Sequence, residues 1–520
     1  MQQVLLVALA ALSCAHAHHI LGLFPVPSSS HNILGKGIVD SLLDDGHTVT
    51  WVTPYPEKVK NPPKNLKIID ASITVKYGSA ADINSIGDKK MDISFVKQFA
   101  NNLTMDTLQL PALKDALINT QFDAVITEAF FSDVLAGVAA VQQVPWIVLS
   151  GMQMSPFLEF QVDDVRSIST VPLMFNDAKT PMNFFERAVN VFLFTAITFS
   201  EWLDRPATVT KYESVFGPIA AARGVSLPPF EAALHNVSIL LVNAHESMSP
   251  TISVPPNVIS IAGYHLNEEL PPLPKDLQDL LDKSPQGVIY FSMGSVLRSA
   301  AIREHTRASL LRMFAALPYT VLWKFEEPIK DLPPNVHVRS WLPQPSILAH
   351  PNVRLFMTHG GQLSSLEAVH AGVPLLAIPV FGDQPGNAER ARRAGYAQRV
   401  DFHFDMVPQL EVALKELLSN DKYSKRVKEL SKEFRARPVS PRNLIRHYVR
   451  LAIDTRGAYH LRSIALQYKW YERWMLDLAL VLLISLATLA WLVTFLIKTC
   501  FRKLTGKSKS KDKVNKKKRN

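Results

Sequence analysis

Between Phe356 and Gln384 two short apolar runs stand close together with one helix-like stretch between them. The first run ends in Thr358-His359-Gly360-Gly361, and Leu363 to His370 has the composition of a helix. The second run, Pro374 to Pro379, ends in Phe381-Gly382-Asp383-Gln384. Short runs that are apolar throughout and bounded by glycine or proline read as buried strands. Strand, helix, strand in that order implies a crossover, and so a parallel sheet. Sheets of this kind bind ligands in the loops at the carboxyl ends of their strands. Gly360-Gly361 allows close backbone approach there, and the free N–H groups of the following helix favour an anion.

The same rhythm runs through the rest of the chain. His19 to Phe24 is a short apolar run. Asn32 to Asp45 has helical spacing through Ile33, Leu34, Ile38, Leu42 and Leu43, and stops at Gly46. His47 to Val52 alternates as a strand, and Ala124 to Thr127 and Trp146 to Leu149 flank a helix at Asp133 to Val141. A second series begins at Val288 to Ser292 and continues to about Thr455. Prolines at Pro250 to Pro256 and Pro271 to Pro274 mark the junction. The expected fold is α/β: two doubly wound, Rossmann-like domains at 18–270 and 286–455, facing a cleft and joined by a linker at 271–285. From Gly151 to Arg223 the chain is helix-like and aromatic. Phe157, Phe160, Phe184, Phe185, Phe192, Phe194 and Trp202 could wall an apolar cavity or pack on the sheet.

The net charge of +10 suggests nucleic acid until it is located. Lys498 to Asn520 holds eleven Lys or Arg and one Asp, so the tail carries the whole excess and the body is neutral. No nucleic-acid partner is expected. The tail follows Leu478 to Ile497, twenty residues without a charge, which is enough for a helix to span a bilayer. Trp470, Tyr471 and Trp474 precede it as an aromatic belt. The expected order is an amphipathic segment at 456–475, a transmembrane helix at 476–497 and a basic cytosolic tail at 498–520. Val4 to Leu12 and Ala15-His16-Ala17 read as a signal peptide over residues 1–17. The body then lies in the lumen as a single-pass type I protein. Lys517-Lys518-Arg519-Asn520 resembles a retrieval signal for the endoplasmic reticulum. The two cysteines, Cys14 and Cys500, fall in the signal peptide and at the cytosolic face, so disulfides are not expected to hold the body. The sequons at Asn102 and Asn236 become usable in the lumen.

In order and spacing, Phe356 to Gln384 closely resembles the signature of the UDP-glycosyltransferases, which move a sugar from a UDP-sugar onto small lipophilic acceptors. The resemblance runs from about His19 to the tail and implies the two-domain fold known as GT-B. Trp341 matches the position that stacks on uracil, and Gln344 its neighbour that hydrogen-bonds the nucleoside. Ser295, His359, Gly361 and Ser364 match the surroundings of the phosphates. Glu367 matches the carboxylate for the ribose hydroxyls, and Asp383 and Gln384 the pair that holds the transferred sugar. Leu363 departs from the Asn usual in vertebrate members. Many transferases neutralise the diphosphate with a metal held by Asp-x-Asp. This sequence contains none, so neither metal nor other cofactor is expected, and the helix amino end takes that task.

Transfer to a hydroxyl needs a general base. His31 opens the first helix at the rim of the cleft, where the resemblance places the catalytic histidine. His18 and His19 are the rivals, before or within the first strand. The family's orienting aspartate falls in a strand-end pattern like Phe122-Asp123-Ala124-Val125-Ile126-Thr127-Glu128, and that register gives Glu128. Asp133 is the fallback, and Asp123 precedes the strand. With base and leaving group on opposite faces of the sugar, the anomeric centre inverts. Glucuronosyl members often carry Arg-Pro before a Pro-Asn. Pro256-Asn257 has no Arg before it here, which implies a neutral hexose, UDP-glucose first among donors. The acceptor is expected to be a lipophilic alcohol or phenol, as in detoxification. A dedicated steroid-hormone or lipid glucosyltransferase and a non-catalytic UDP-sugar-binding subunit stay open beside that reading, as does a homo- or hetero-oligomer.

Overall fold

The computed structural model describes residues 17–80, 93–131, 133–173, 178, 180–267, 269–295 and 297–516. The expected signal peptide, apart from Ala17, and the terminal Lys517 to Asn520 lie outside the described residues.

The first sheet has seven strands: β1 (His19–Leu23), β2 (Thr48–Thr53), β3 (Leu66–Asp70), β4 (Ala124–Glu128), β5 (Trp146–Ser150), β6 (Val237–Val242) and β7 (Val258–Ser260). Its order is β3-β2-β1-β4-β5-β6-β7, with every pairing parallel. The second sheet has six: β8 (Val288–Ser292), β9 (Thr320–Lys324), β10 (Val336–Arg339), β11 (Val353–Thr358), β12 (Leu375–Ala377) and β13 (Ala397–Arg399). Its order is β10-β9-β8-β11-β12-β13, also parallel throughout. Helices cover both faces, so central strands are buried on both sides and read as continuous apolar runs: β4, β5, β6 and β8 are buried at every residue.

Each sheet changes direction once, between β1 and β4 and between β8 and β11. Loops leaving the carboxyl ends of strands diverge at such a point and open a crevice. In the first sheet the helix after β1 and the end of β4 bring His31 and Glu128 to it. In the second the loops carry Ser295 and His359 to Gly361.

Three segments differ from expectation. The linker at 271–285 contains a helix, Lys275–Asp282, whose Leu277 and Leu281 lie one turn apart and bury in the core of the second sheet. The helix Pro441–Asp454 packs instead on the first sheet, where Ile445, Val449 and Ala452 join Ile20, Val49 and Ile239. Its apolar stripe has that spacing, and Arg446 and Arg450 beside it pair with Asp44 and Asp45. The expected amphipathic segment at 456–475 is not one continuous helix but is broken into single turns, Tyr459–Leu461, Ile464–Gln467 and Trp470–Arg473. Ser463 caps the second by accepting from the Ala465 N–H at 3.2 Å.

Residues 463–520 form a separate unit. Its helix Leu476–Lys516 contains a 29-residue span, Leu476–Leu504, whose most apolar 18 residues have a mean hydropathy of 2.6. That is about 44 Å of helix against the ~30 Å of a bilayer core. The helix continues into the basic tail rather than ending at Ile497.

Candidate active site

The Ser29–Asp44 helix begins at the carboxyl end of β1, capped by Ser28, whose hydroxyl accepts from the His31 N–H at 3.3 Å. His31 is thereby fixed in the first turn. Glu128 is the last residue of β4, the neighbour of β1, and its Oε1 lies 2.5 Å from His31 Nδ1. The two side chains differ in access: 25% of the His31 surface is open to the cavity and 1% of Glu128. The edge of Phe130 packs on the imidazole, with centroids 5.3 Å apart. Burial lowers the His31 pKa, but the charge of Glu128, its hydrogen bond and the charge of Asp383 outweigh that, and the net shift is upward. The rivals are occupied at the opposite end of the sheet. His19 Nε2 meets Thr50 Oγ1 at 2.9 Å, and Asp123 accepts from the His19 N–H at 2.7 Å and lies 3.7 Å from His18. Asp133, the fallback partner, accepts from Gln161 at 3.3 Å and lies 3.9 Å from Arg205. It makes no contact with His31, whose partner is Glu128.

In the second sheet, β11 runs into Gly360-Gly361 and the Gln362–Ala371 helix. Gly361 is its N-cap and offers no side chain to the first turn, so the leading N–H groups are open to an anion. His359 is clasped between glycines. A Cβ on Gly361 would stand 2.5 Å from its Nε2, and one on Gly294 (φ +86°) 2.6 Å from its Cε1. Burial, then the nearby Lys324 cation, lower the His359 pKa to about 4. The ring is therefore neutral at physiological pH and can donate one N–H to a phosphate. Gly294 also turns the loop that presents exposed Ser295.

The remaining residues converge on the same crevice. Gln344 donates to Glu367 Oε2 at 2.7 Å and to Ser364 Oγ at 3.2 Å, and accepts from the Tyr290 hydroxyl at 3.2 Å. Trp341 keeps 60% of its surface exposed, a ring face free for stacking. Gln384 accepts the Val380 and Phe381 N–H groups at 2.9 and 3.1 Å, leaving its NH₂ for a ligand. Asp383 accepts from Asn387 at 2.6 Å, and burial raises its carboxyl.

His31, Glu128, Ser295, Trp341, Gln344, His359, Gly361, Ser364, Glu367, Asp383 and Gln384 all line one cavity of about 450 Å³. A second, of about 1520 Å³, shares Glu128, Phe130 and Asp383 with it. Phe157, Phe160, Phe194 and Trp202 wall that larger cavity together with Asp133. Phe184, Phe185 and Phe192 face outward instead. Among the described residues no cluster of His, Cys, Asp or Glu has the form of a metal site. Of the sequons, Asn102 is exposed on the Ile93–Leu108 helix, whereas Arg462 donates to Asn236 Oδ1 at 2.6 Å and to buried Ser238 at 3.0 Å.

Lys324 and His265 line the same cavity and are absent from the sequence reading. Lys324 donates to the Gly294 carbonyl at 2.8 Å and to Glu326 at 3.0 Å, and so holds the Ser295 loop. Its signal was a charge ending the apolar run Val321-Leu322-Trp323. The other is His265, 3.4 Å from Glu367, which follows the last strand of the first sheet.

Comparison with known proteins identifies the family. The model of the family described as "UDP-glucoronosyl and UDP-glucosyl transferase" matches residues 23–511. The chain is 30% identical to UDP-glucosyltransferase 2 of Dactylopius coccus, over 96% of both chains. It is 28% identical to human UDP-glucuronosyltransferase 2B7, over 92% of this chain and 93% of that one. Among solved structures, the calicheamicin glycosyltransferase CalG4 superposes with a TM-score of 0.56 at 20% identity, covering 85% of this chain and 99% of that one. That likeness shows the fold, GT-B. A family match over nearly the whole length, on two parallel sheets that each open at a switch point, makes this chain a member of the UDP-glycosyltransferase family.

Proposed function

We propose that the chain transfers glucose from UDP-glucose to a hydroxyl of small lipophilic acceptors, with inversion and without a metal, as in the clearance of foreign compounds. The observation that carries this reading is the 2.5 Å contact of His31 Nδ1 with Glu128 in the cavity that Asp383 also lines. With a proton on Nδ1 donated to Glu128, Nε2 is free to accept the acceptor's hydroxyl proton. The alkoxide-like oxygen attacks the anomeric carbon as the bond to UDP breaks, and UDP leaves with the electron pair. His31 becomes imidazolium against the Glu128 carboxylate, and the diphosphate's growing charge meets the first-turn N–H groups after Gly361. Attack opposite the leaving group turns an α-linked donor into a β-glycoside.

The donor preference rests on the missing Arg before Pro256-Asn257. Half-buried Arg390, beside Asp383, already donates to Asn387. The aromatic walls of the larger cavity favour lipophilic alcohols and phenols. The apolar Leu476–Leu504 span supports a membrane-anchored enzyme, which we place in the endoplasmic reticulum with its body in the lumen and a glycan at exposed Asn102. Transfer assays with UDP-glucose, UDP-glucuronate, UDP-galactose and UDP-N-acetylglucosamine on a phenol panel, with and without EDTA, test the reading. Glucose should be preferred and EDTA without effect. Faster glucuronate transfer would overturn the donor, and loss of activity in EDTA the metal independence.

A further inference from the structure

His265 ends the turn Gly263-Tyr264-His265, which follows β7 and leads out of the first sheet. The Tyr264 hydroxyl donates to the Leu34 carbonyl at 3.1 Å. The backbone of His265 runs so close beneath Gly37 that a Cβ there would stand 3.3 Å from the His265 Cα. Both contacts are with the Ser29–Asp44 helix that carries His31. The imidazole reaches the other sheet: Nε2 is 3.4 Å from Glu367 Oε1 on the Gln362–Ala371 helix. Only 1% of the side chain is accessible, and among the described residues neither ring nitrogen has a hydrogen bond. An imidazole buried without partners is unfavourable for folding alone. Its surroundings point to one use. Glu367 Oε2 is already held by Gln344, and Oε1 is the oxygen that faces His265. A carboxylate fixed at one oxygen can rotate, whereas a vicinal pair of ribose hydroxyls needs both oxygens held in one plane.

We infer that His265 is a positioning residue for nucleotide binding. When the nucleotide binds, the His265 Nε2–H closes on Oε1 of Glu367 from 3.4 Å, so that the remaining lone pairs meet the ribose hydroxyls. The turn also ties that orientation to the helix of the catalytic base. This rests on Glu367 being the ribose ligand.

The test is equilibrium binding of UDP and of 2′,3′-dideoxy-UDP to the detergent-solubilised full chain. His265→Leu should weaken UDP about tenfold, the size of one charge-assisted hydrogen bond, and leave the dideoxy nucleotide unchanged. His265→Gln, which keeps an N–H donor, should recover most of the loss. His265→Leu added to Glu367→Gln should cost nothing beyond Glu367→Gln alone. Equal weakening of both nucleotides, or none of either, would overturn the role of His265. A Glu367→Gln variant that keeps the full preference for UDP over its dideoxy form would instead remove the ribose reading, and the role of His265 with it.

Discussion

At the scale of single residues, the chemistry turns on one proton. His31 must be neutral to accept it, and its folded pKa lies above the ordinary 6.5. Raising that pKa keeps the ring protonated, and idle, to a higher pH. The acid limb of kcat/KM should therefore have its midpoint above 6.5 and rise with pH. Glu128→Gln removes the charge that does most to raise it, so that midpoint should move down while kcat falls about a hundredfold or more. A pH–rate profile of both forms checks the sign. His359 behaves oppositely. With a pKa near 4 it does not titrate in the working range, so UDP affinity measured between about pH 5.5 and 8 should show no step from it. His31 was legible in the sequence because the family resemblance places a catalytic histidine at the start of the helix after the first strand. Its partner was legible only to within five residues. Choosing Glu128 over Asp133 required the pairing of β4 beside β1, which aims the last residue of β4 at the helix after β1.

At the scale of the element, the Gln362–Ala371 helix has two jobs. Its amino end must stay bare and closely packed, and Gly361 meets both needs. Gly361→Ala puts a methyl about where the His359 ring stands, since the two atoms would be 2.5 Å apart. UDP binding should weaken by tenfold or more, seen by titration calorimetry, with the fold kept. The second job belongs to Leu363, which packs on the core of the first sheet with Leu34 and Ile38. Beside it, Gln362 donates to the Asn243 carbonyl at 3.0 Å. The leucine therefore gives the helix an apolar seat across the cleft. Leu363→Asn should lower stability by about 1 kcal/mol, read as a lower thermal midpoint, while UDP still binds. From sequence this position was only a departure from the family pattern, because nothing local tells which distant sheet a helix end touches. The Lys275–Asp282 helix was hidden for a related reason. It lies among prolines, and only the burial of Leu277 and Leu281 marks it as core.

At the scale of the molecule, two switch points face one crevice, and both sheets contribute residues to the site. The alternation of strands and helices announced both sheets, and the spacing from Phe356 to Gln384 announced the donor half. The return of the Pro441–Asp454 helix to the first sheet was not legible, since its stripe of Ile445, Val449 and Ala452 would suit either core. Every residue assigned to binding or catalysis lies before Ser463, in the larger of the two units. The joining of the two halves at His31 is the central claim. It is tested most directly by transfer of radiolabelled glucose from UDP-glucose to a phenol, in membranes carrying the native chain or His31→Ala, with UDP binding measured in parallel. Transfer should fall by about a thousandfold while UDP binds as before. A His31→Ala chain that transfers glucose at the native rate would contradict the account.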